Sequence, residues 1–510
     1  MVTSSYKQAQ QYKSRPRVVA GFLYRGRATQ KRRSRQWQLR SEQQERQVER
    51  AAAAERQALA QVATLNERVR QLEAENKQLK SQPMQLPSDP PLPKHQYGPR
   101  LIALCVNLVQ KIGLRSTPVV LKIFWDWLGI KAKVPHWTAV RGWLQRWGIA
   151  LLTEPVERAD DWIWLADHSN QIGAEKVLVV LGVRASQLPP PGTPLRHADV
   201  RVLAVKPGTA WKREDMSREY VDLAKLCGDP LAVLVDGAVE LREGAEILRE
   251  SRPGTLILSD FKHRTANILK SLVGQSESFM RFTTLVGQTR CAIKQTELAQ
   301  LTPPSPKPKS RFMNLAATLR WAALILWLLM HPKARARRGI SAKRFREKLG
   351  WLRKFAPEVA VWNECQKLIS LSVTFINEQG LTSGTTALLR AKLTEHATQP
   401  LSRELAARLL AFVQESESQL LPGVRLPLST EILESTFGLY KQLERQHSKG
   451  GFTSLLAAFP ALLKPTTPEI IRQAFARVSH KTLRQWTADH LGSTVTAKRM
   501  AAYQEFAQAI

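Results

Sequence analysis

The sequence predicts a mixed α/β core, interrupted by a large all-α insertion and preceded by a coiled coil and a helix-turn-helix. Three observations carry this reading. Residues 41–80 repeat apolar side chains in heptads. Between about 158 and 272, short apolar runs alternate with amphipathic stretches in the order β-β-β-α-β-α-β-α. From 273 to 425 the strand signal is lost and helical segments remain.

The 510 residues carry a formal net charge of +33. At about 100–200 residues per domain, that length implies several units. Hydrophobic residues form 43% of the chain, which excludes wholesale disorder. The positive excess calls for a polyanion, most simply nucleic acid. Cys105, Cys227, Cys291 and Cys365 are scattered, with neither metal-ligand spacing nor a disulfide framework, so a reducing compartment is expected. The N-terminal segment has no signal-peptide core. The longest apolar run, Trp321 to Met330, spans about 15 Å as helix, half a bilayer, and reads as a buried helix. No membrane partner is expected.

Residues 1–40 read as a basic arm whose Arg32, Arg33 and Arg35 suit phosphate contact. In 41–80, Val62, Leu65, Val69, Leu72, Asn76 and Leu79 form an a/d seam. Val at a with Leu at d favours two strands, and Asn76 at an a position favours a parallel homodimer. Residues 81–99 hold Pro83, Pro87, Pro90, Pro91, Pro93 and Pro99, a semi-extended linker. Residues 100–150 read as three helices: Leu101 to Lys111, one opened by Ser116-Thr117-Pro118 and stopped by Gly129, and Thr138 to Trp147 stopped by Gly148. Lys131, Lys133, Arg141 and Arg146 make the last a candidate DNA-reading helix.

Strands follow at Trp162–Asp167, Val177–Val183, Val200–Val205, Leu231–Val235 and Thr255–Leu258. Helices are expected at Ser217–Leu226, Val239–Glu250 and His263–Leu272. After the insertion, 426–446 carries one more core helix, and 447–510 is helical and basic.

Asp167 and Asp236 both end apolar strands, which places their charges at the sheet edge where α/β ligands bind. Strands one and four are adjacent in the usual mixed sheet, so the two carboxylates can meet. A hard divalent cation such as Mg²⁺ relieves their repulsion. A third acid is wanted from a helix over that edge. Glu434 offers one, with Lys441 two turns on along the same face. Asp236-Gly237 also fits a turn and helix cap. Asp260 also ends a strand and competes with Asp236 as second acid. Glu431 competes with Glu434 but has Gly438, not a basic residue, at plus seven. His263 reads first as a capping or packing residue.

This arrangement resembles the RNase H-like core of DDE transposases with a helical insertion, over about residues 158–272 and 426–460. The resemblance implies Asp167, Asp236 and Glu434 as catalytic and metal-binding acids and Lys441 as a contact to the transposon end. Asp260-Phe261-Lys262-His263 resembles the family's Asp-x-x-His motif and makes Asp260 and His263 secondary candidates. The implied activity is hydrolysis of a phosphodiester at the element's end and joining of the 3′-OH to target DNA. The implied cofactors are two Mg²⁺ or Mn²⁺ ions, the partner double-stranded DNA, and the setting a bacterial insertion sequence in the nucleoid-associated cytoplasm. The alternatives are a non-catalytic dimeric DNA-binding protein, and a metal-dependent nuclease without strand transfer.

Overall fold

The computed structural model describes residues 16–81, 88–172, 175–208, 211–305, 312, 315–336, 339–447, 454–491 and 495–509. Residues 1–15 of the expected basic arm, 82–87 of the linker, 306–311 of the Pro/Lys break and 337–338 of the basic run after it lie outside the described residues. The chain divides into two compact units, Met1–Ser88 and Asp89–Ile510.

The first unit is one helix, α1 (Pro16–Ser81). Helix therefore reaches well into the expected arm. Pro16 suits a first helical position, the next proline is Pro83, and Gly21 and Gly26 cost only about 1 kcal/mol each. Arg32, Arg33 and Arg35 are exposed on it. The seam residues Val62, Leu65, Val69 and Leu72 are also exposed.

The second unit opens with α2 (Pro99–Ile112), α3 (Ser116–Leu128) and α4 (Trp137–Leu152). α3 stops at Gly129, whose φ of 68° is left-handed, the usual glycine helix stop. α4 does not stop at Gly148. That glycine serves close packing instead: a Cβ there would lie 1.9 Å from the carbonyl oxygen of Ala457. Trp143, Leu144 and Trp147 of α4 are buried. They pack beneath two short 3₁₀ turns, Ser454–Ala458 and Pro460–Leu462, and beneath helices from the C-terminal region. Asn107 and Gln110 of α2 tie down the same segment through Thr466, Ala461 and Lys464. The last part of the chain thus completes the module begun at 100. A sequence window cannot show that, because the partners are more than three hundred residues apart.

The sheet has five strands: β1 (Trp162–Ile172), β2 (Glu175–Arg184), β3 (Arg201–Gly208), β4 (Ala232–Val235) and β5 (Leu256–Ser259), in the order β3-β2-β1-β4-β5. β2 is antiparallel to β1 and β3, while β1, β4 and β5 run parallel. Helix α5 (Arg213–Cys227) connects β3 to β4, α6 (Val239–Ser251) connects β4 to β5, and α7 (Phe261–Val273) follows β5. This is compatible with an RNase H-like core.

Side chains alternate across the sheet. Trp164, Ala166, Val233 and Val235 face one core with Tyr220 of α5 and Leu241 of α6. Ile163, Leu165, Ala232, Leu234 and Leu258 face the larger core shared with the later helices. Those are α8 (Glu277–Ile293), α9 (Leu315–Met330), α10 (Pro332–Ala336), α11 (Ala342–Leu349), α12 (Ala356–Gln379), α13 (Thr385–Thr394) and α14 (Pro400–Glu417). Then come α15 (Glu431–His447), α16 (Pro468–Arg477), α17 (His480–Leu491) and α18 (Val495–Ala509). Among the described residues no helix is long and apolar enough to cross a membrane.

Candidate active site

The period of two decides which acids can meet. Counting on from Leu165, Leu234 and Leu258, residues 167, 236 and 260 fall on the same sheet face, the one turned to the larger core. β1 does not end at Asp167. It continues to Ile172 against β2, while its pairing with β4 stops at Ala166 opposite Val235. Asp167 therefore stands where β4 leaves the sheet, and Asp236 is the next residue on that departing strand.

The two carboxyl groups are neighbours across the strand edge, close enough for Asp236 to act on the Asp167 carboxyl. Asp167 is 8% exposed and also accepts from the His168 backbone N–H at 2.6 Å. Burial, and then the neighbouring Asp236, push its pKa well above the usual carboxylate range. Asp236 accepts from the Ala238 backbone N–H at 2.8 Å, so it also makes the turn that its Asp-Gly sequence suggested.

Asp260 is 1% exposed and engaged through both oxygens. Oδ1 accepts from the Thr430 backbone N–H at 2.9 Å. Oδ2 accepts from the His263 backbone N–H at 3.0 Å, capping α7, and lies 2.6 Å from His263 Nδ1. Next to it, the Phe261 N–H donates to the Leu428 carbonyl at 2.9 Å. These bonds fix the start of α15 against the end of β5. They leave Asp260 as a clamp, while Asp236 is the acid beside Asp167.

α15 brings Glu434 to this edge. Its Oε2 is 2.7 Å from Lys262 Nζ, and its Oε1 is 4.0 Å from His263 Nε2. Lys262 also holds Glu431 at 2.8 Å, and Glu431 accepts from Asn377 as well. Both glutamates therefore share a lysine, but Glu434 is the one that also meets His263. Burial alone would lower the His263 pKa. The hydrogen bond and charge of Asp260, with the charges of Asp236 and Glu434, outweigh it and raise the value to about 9. His263 is thus favoured in its protonated form beside Asp260, and Asp167 feels its charge too.

Among the described residues, no three His, Cys, Asp or Glu side chains form a ready metal-ligand set. Asp167 and Asp236 are neighbours, while Glu434 is held by Lys262. The donor set nevertheless fits a hard divalent cation. Two neighbouring carboxyl groups, with Asp167 held above the usual carboxylate range, offer oxygen ligands that a positive charge would favour.

Lys262 was not singled out from the sequence as a site residue. It lies inside the Asp260–His263 motif, but its partner Glu434 is 172 positions away. Lys441 is exposed on α15, and Lys131 and Lys133 are exposed before α4. Arg141 is half-buried, with its guanidinium 5.6 Å from the Trp137 ring centroid.

Arg146 is a correction. It is 3% exposed, donates to the Val478 and Phe475 carbonyls, and stacks 3.9 Å over the Phe475 ring. It has no surface to present to a DNA groove. Five positions turn a helix by about 140°, so Arg141 and Arg146 cannot share a face.

No family model matches the chain, and no curated protein matches it. Thirteen solved chains do. One is described as the Drosophila P element transposase strand transfer complex. It shares 11% identity at a TM-score of 0.37, over 72% of this chain and 92% of that one.

Proposed function

We propose that this chain is a metal-dependent DNA strand-cleaving and strand-joining enzyme of the DDE transposase kind, acting on the ends of its own element. The observation that carries the reading is the placement of Asp167 and Asp236 side by side where β4 leaves β1, near the Glu434 helix. Asp167, Asp236 and, once free of Lys262, Glu434 would hold divalent Mg²⁺ or Mn²⁺. Such ions polarise a phosphodiester and activate the attacking oxygen. The protein's own part is positional. Asp260 and His263 anchor α15 to the sheet, and His263 offsets negative charge beside the acids. Exposed Lys441 lies along α15 to meet backbone phosphate.

The test is a duplex carrying the sequences that flank the gene, incubated with the purified chain and Mg²⁺. Nicked and joined products support the reading. Nicking without joining leaves a nuclease, and DNA binding with neither product leaves a regulator.

Lys262 occupies part of the charge demand that a cation would meet. Its ammonium is bound between Glu431 and Glu434, which outweigh burial and raise its pKa. Lys262→Met is expected to tighten Mn²⁺ binding by about three- to tenfold, on the order of 1 kcal/mol. Calorimetric titration without DNA reads it, and equal or weaker binding would exclude the placeholder role.

The exposed seam of α1 fits a parallel homodimer that handles two DNA ends together. Leu65→Glu/Leu72→Glu is expected to turn a dimer into a monomer in sedimentation velocity. A monomeric wild type would refute the seam.

A further inference from the structure

The buried position of Arg146 has a counterpart at the surface. α4 and α17 leave between them a cleft of about 460 Å³, lined on one side by Thr138, Arg141 and Gln145 and on the other by His480, Arg484 and Thr487. Its lining contains no Asp or Glu. Gln145 is buried and donates to the Ser454 hydroxyl at 3.0 Å, which holds the floor in place. Hydroxyls and cations therefore face a common space.

A buried charge lies within electrostatic reach of His480 in this cleft. Among the described residues no carboxylate pairs with the Arg146 guanidinium. Its contacts are two backbone carbonyls, the Phe475 ring, and His95 Nε2 at 2.9 Å from Nη1. Burial lowers its pKa to about 10. His480 feels this store of positive charge: burial first, then Arg146 and Arg484, lower its pKa. A buried guanidinium without a counter-charge is costly. An anion drawn from outside would relieve it and would be met by the cleft's donors.

We propose that the α4–α17 cleft grips the backbone phosphates of duplex DNA, with Arg141 and Arg484 as the contacting cations and Arg146 as the fixed charge behind them. The inference rests on the reading of DNA as partner, not on the acid cluster. It moves the DNA contact of this module from a helix inserted in a groove to a seam between two helices.

The experiment measures fluorescence anisotropy of a labelled 20-base-pair duplex without divalent ions, over a series of salt concentrations. It compares the full-length chain with Arg141→Gln/Arg484→Gln. Arg281→Gln/Lys354→Gln removes the same charge from exposed positions in the helical block and serves as control. The cleft variant is expected to bind at least tenfold more weakly, with a log–log salt slope shallower by about two, as for two lost phosphate contacts. The control is expected to lose less than threefold. Equal losses in both variants, or no loss in the cleft variant, would overturn the proposal. Micromolar binding of inorganic phosphate to the wild type, with duplex affinity unchanged in the cleft variant, would also overturn it and leave a small-anion site. A wild type that binds no duplex would instead sink the reading of DNA as partner.

Discussion

Asp236→Asn is expected to lower Mg²⁺-dependent cleavage by about a thousandfold or more, some 4 kcal/mol of barrier, while duplex affinity stays within about twofold. Asn is nearly isosteric and keeps an oxygen for the Ala238 N–H, so the turn after β4 survives. What is lost is one of two neighbouring carboxyl groups at the strand edge. The measurement is the rate of nicking by gel, beside anisotropy on the same duplex. An Asp236→Asn protein that still cuts at the wild-type rate would remove Asp236 from the chemistry.

Asp260→Ala is expected to act differently, through structure. The substitution strips the Thr430 and His263 N–H groups of their acceptor and leaves a half-buried imidazole without its buried carboxylate partner. Breaking one side of a buried pair costs about 3–5 kcal/mol. The amides at the start of α15 should then exchange with solvent at least a hundredfold faster, read by hydrogen–deuterium exchange over 429–436. Cleavage should fall as well, because α15 carries Glu434. The same segment in Asp236→Asn should exchange at the wild-type rate. If Asp260→Ala lost cleavage with exchange unchanged, Asp260 would be a reacting-site acid and not a clamp.

Much of the core was legible because its signals are local. The apolar strands at 162, 177, 232 and 256 contrast with their polar surroundings within a few residues. Gly129 stops α3 through its own φ. Boundaries that depend on distant partners were not legible. β1 runs past Asp167 because β2 continues to pair with it. α4 runs through Gly148 because Ala457 packs there, and a helix glycine is tolerated when it admits a close neighbour. Asp236 and Asp260 both follow apolar strands, and the sequence favours Asp236 because it directly follows the β-β-β-α core. The structure engages Asp260 with Thr430 and His263, and Thr430 lies 170 positions from Asp260.

The sequence alone determined the charge, the heptad seam, the strand–helix order and a short set of acids, because each is a property of adjacent residues or of a fixed period. Only the tertiary structure decided how the acids are partnered, that Lys262 holds Glu434, and that Arg146 is buried beneath the C-terminal region. Those outcomes depend on which remote segments exclude water from one another, and a one-dimensional pattern carries no record of that.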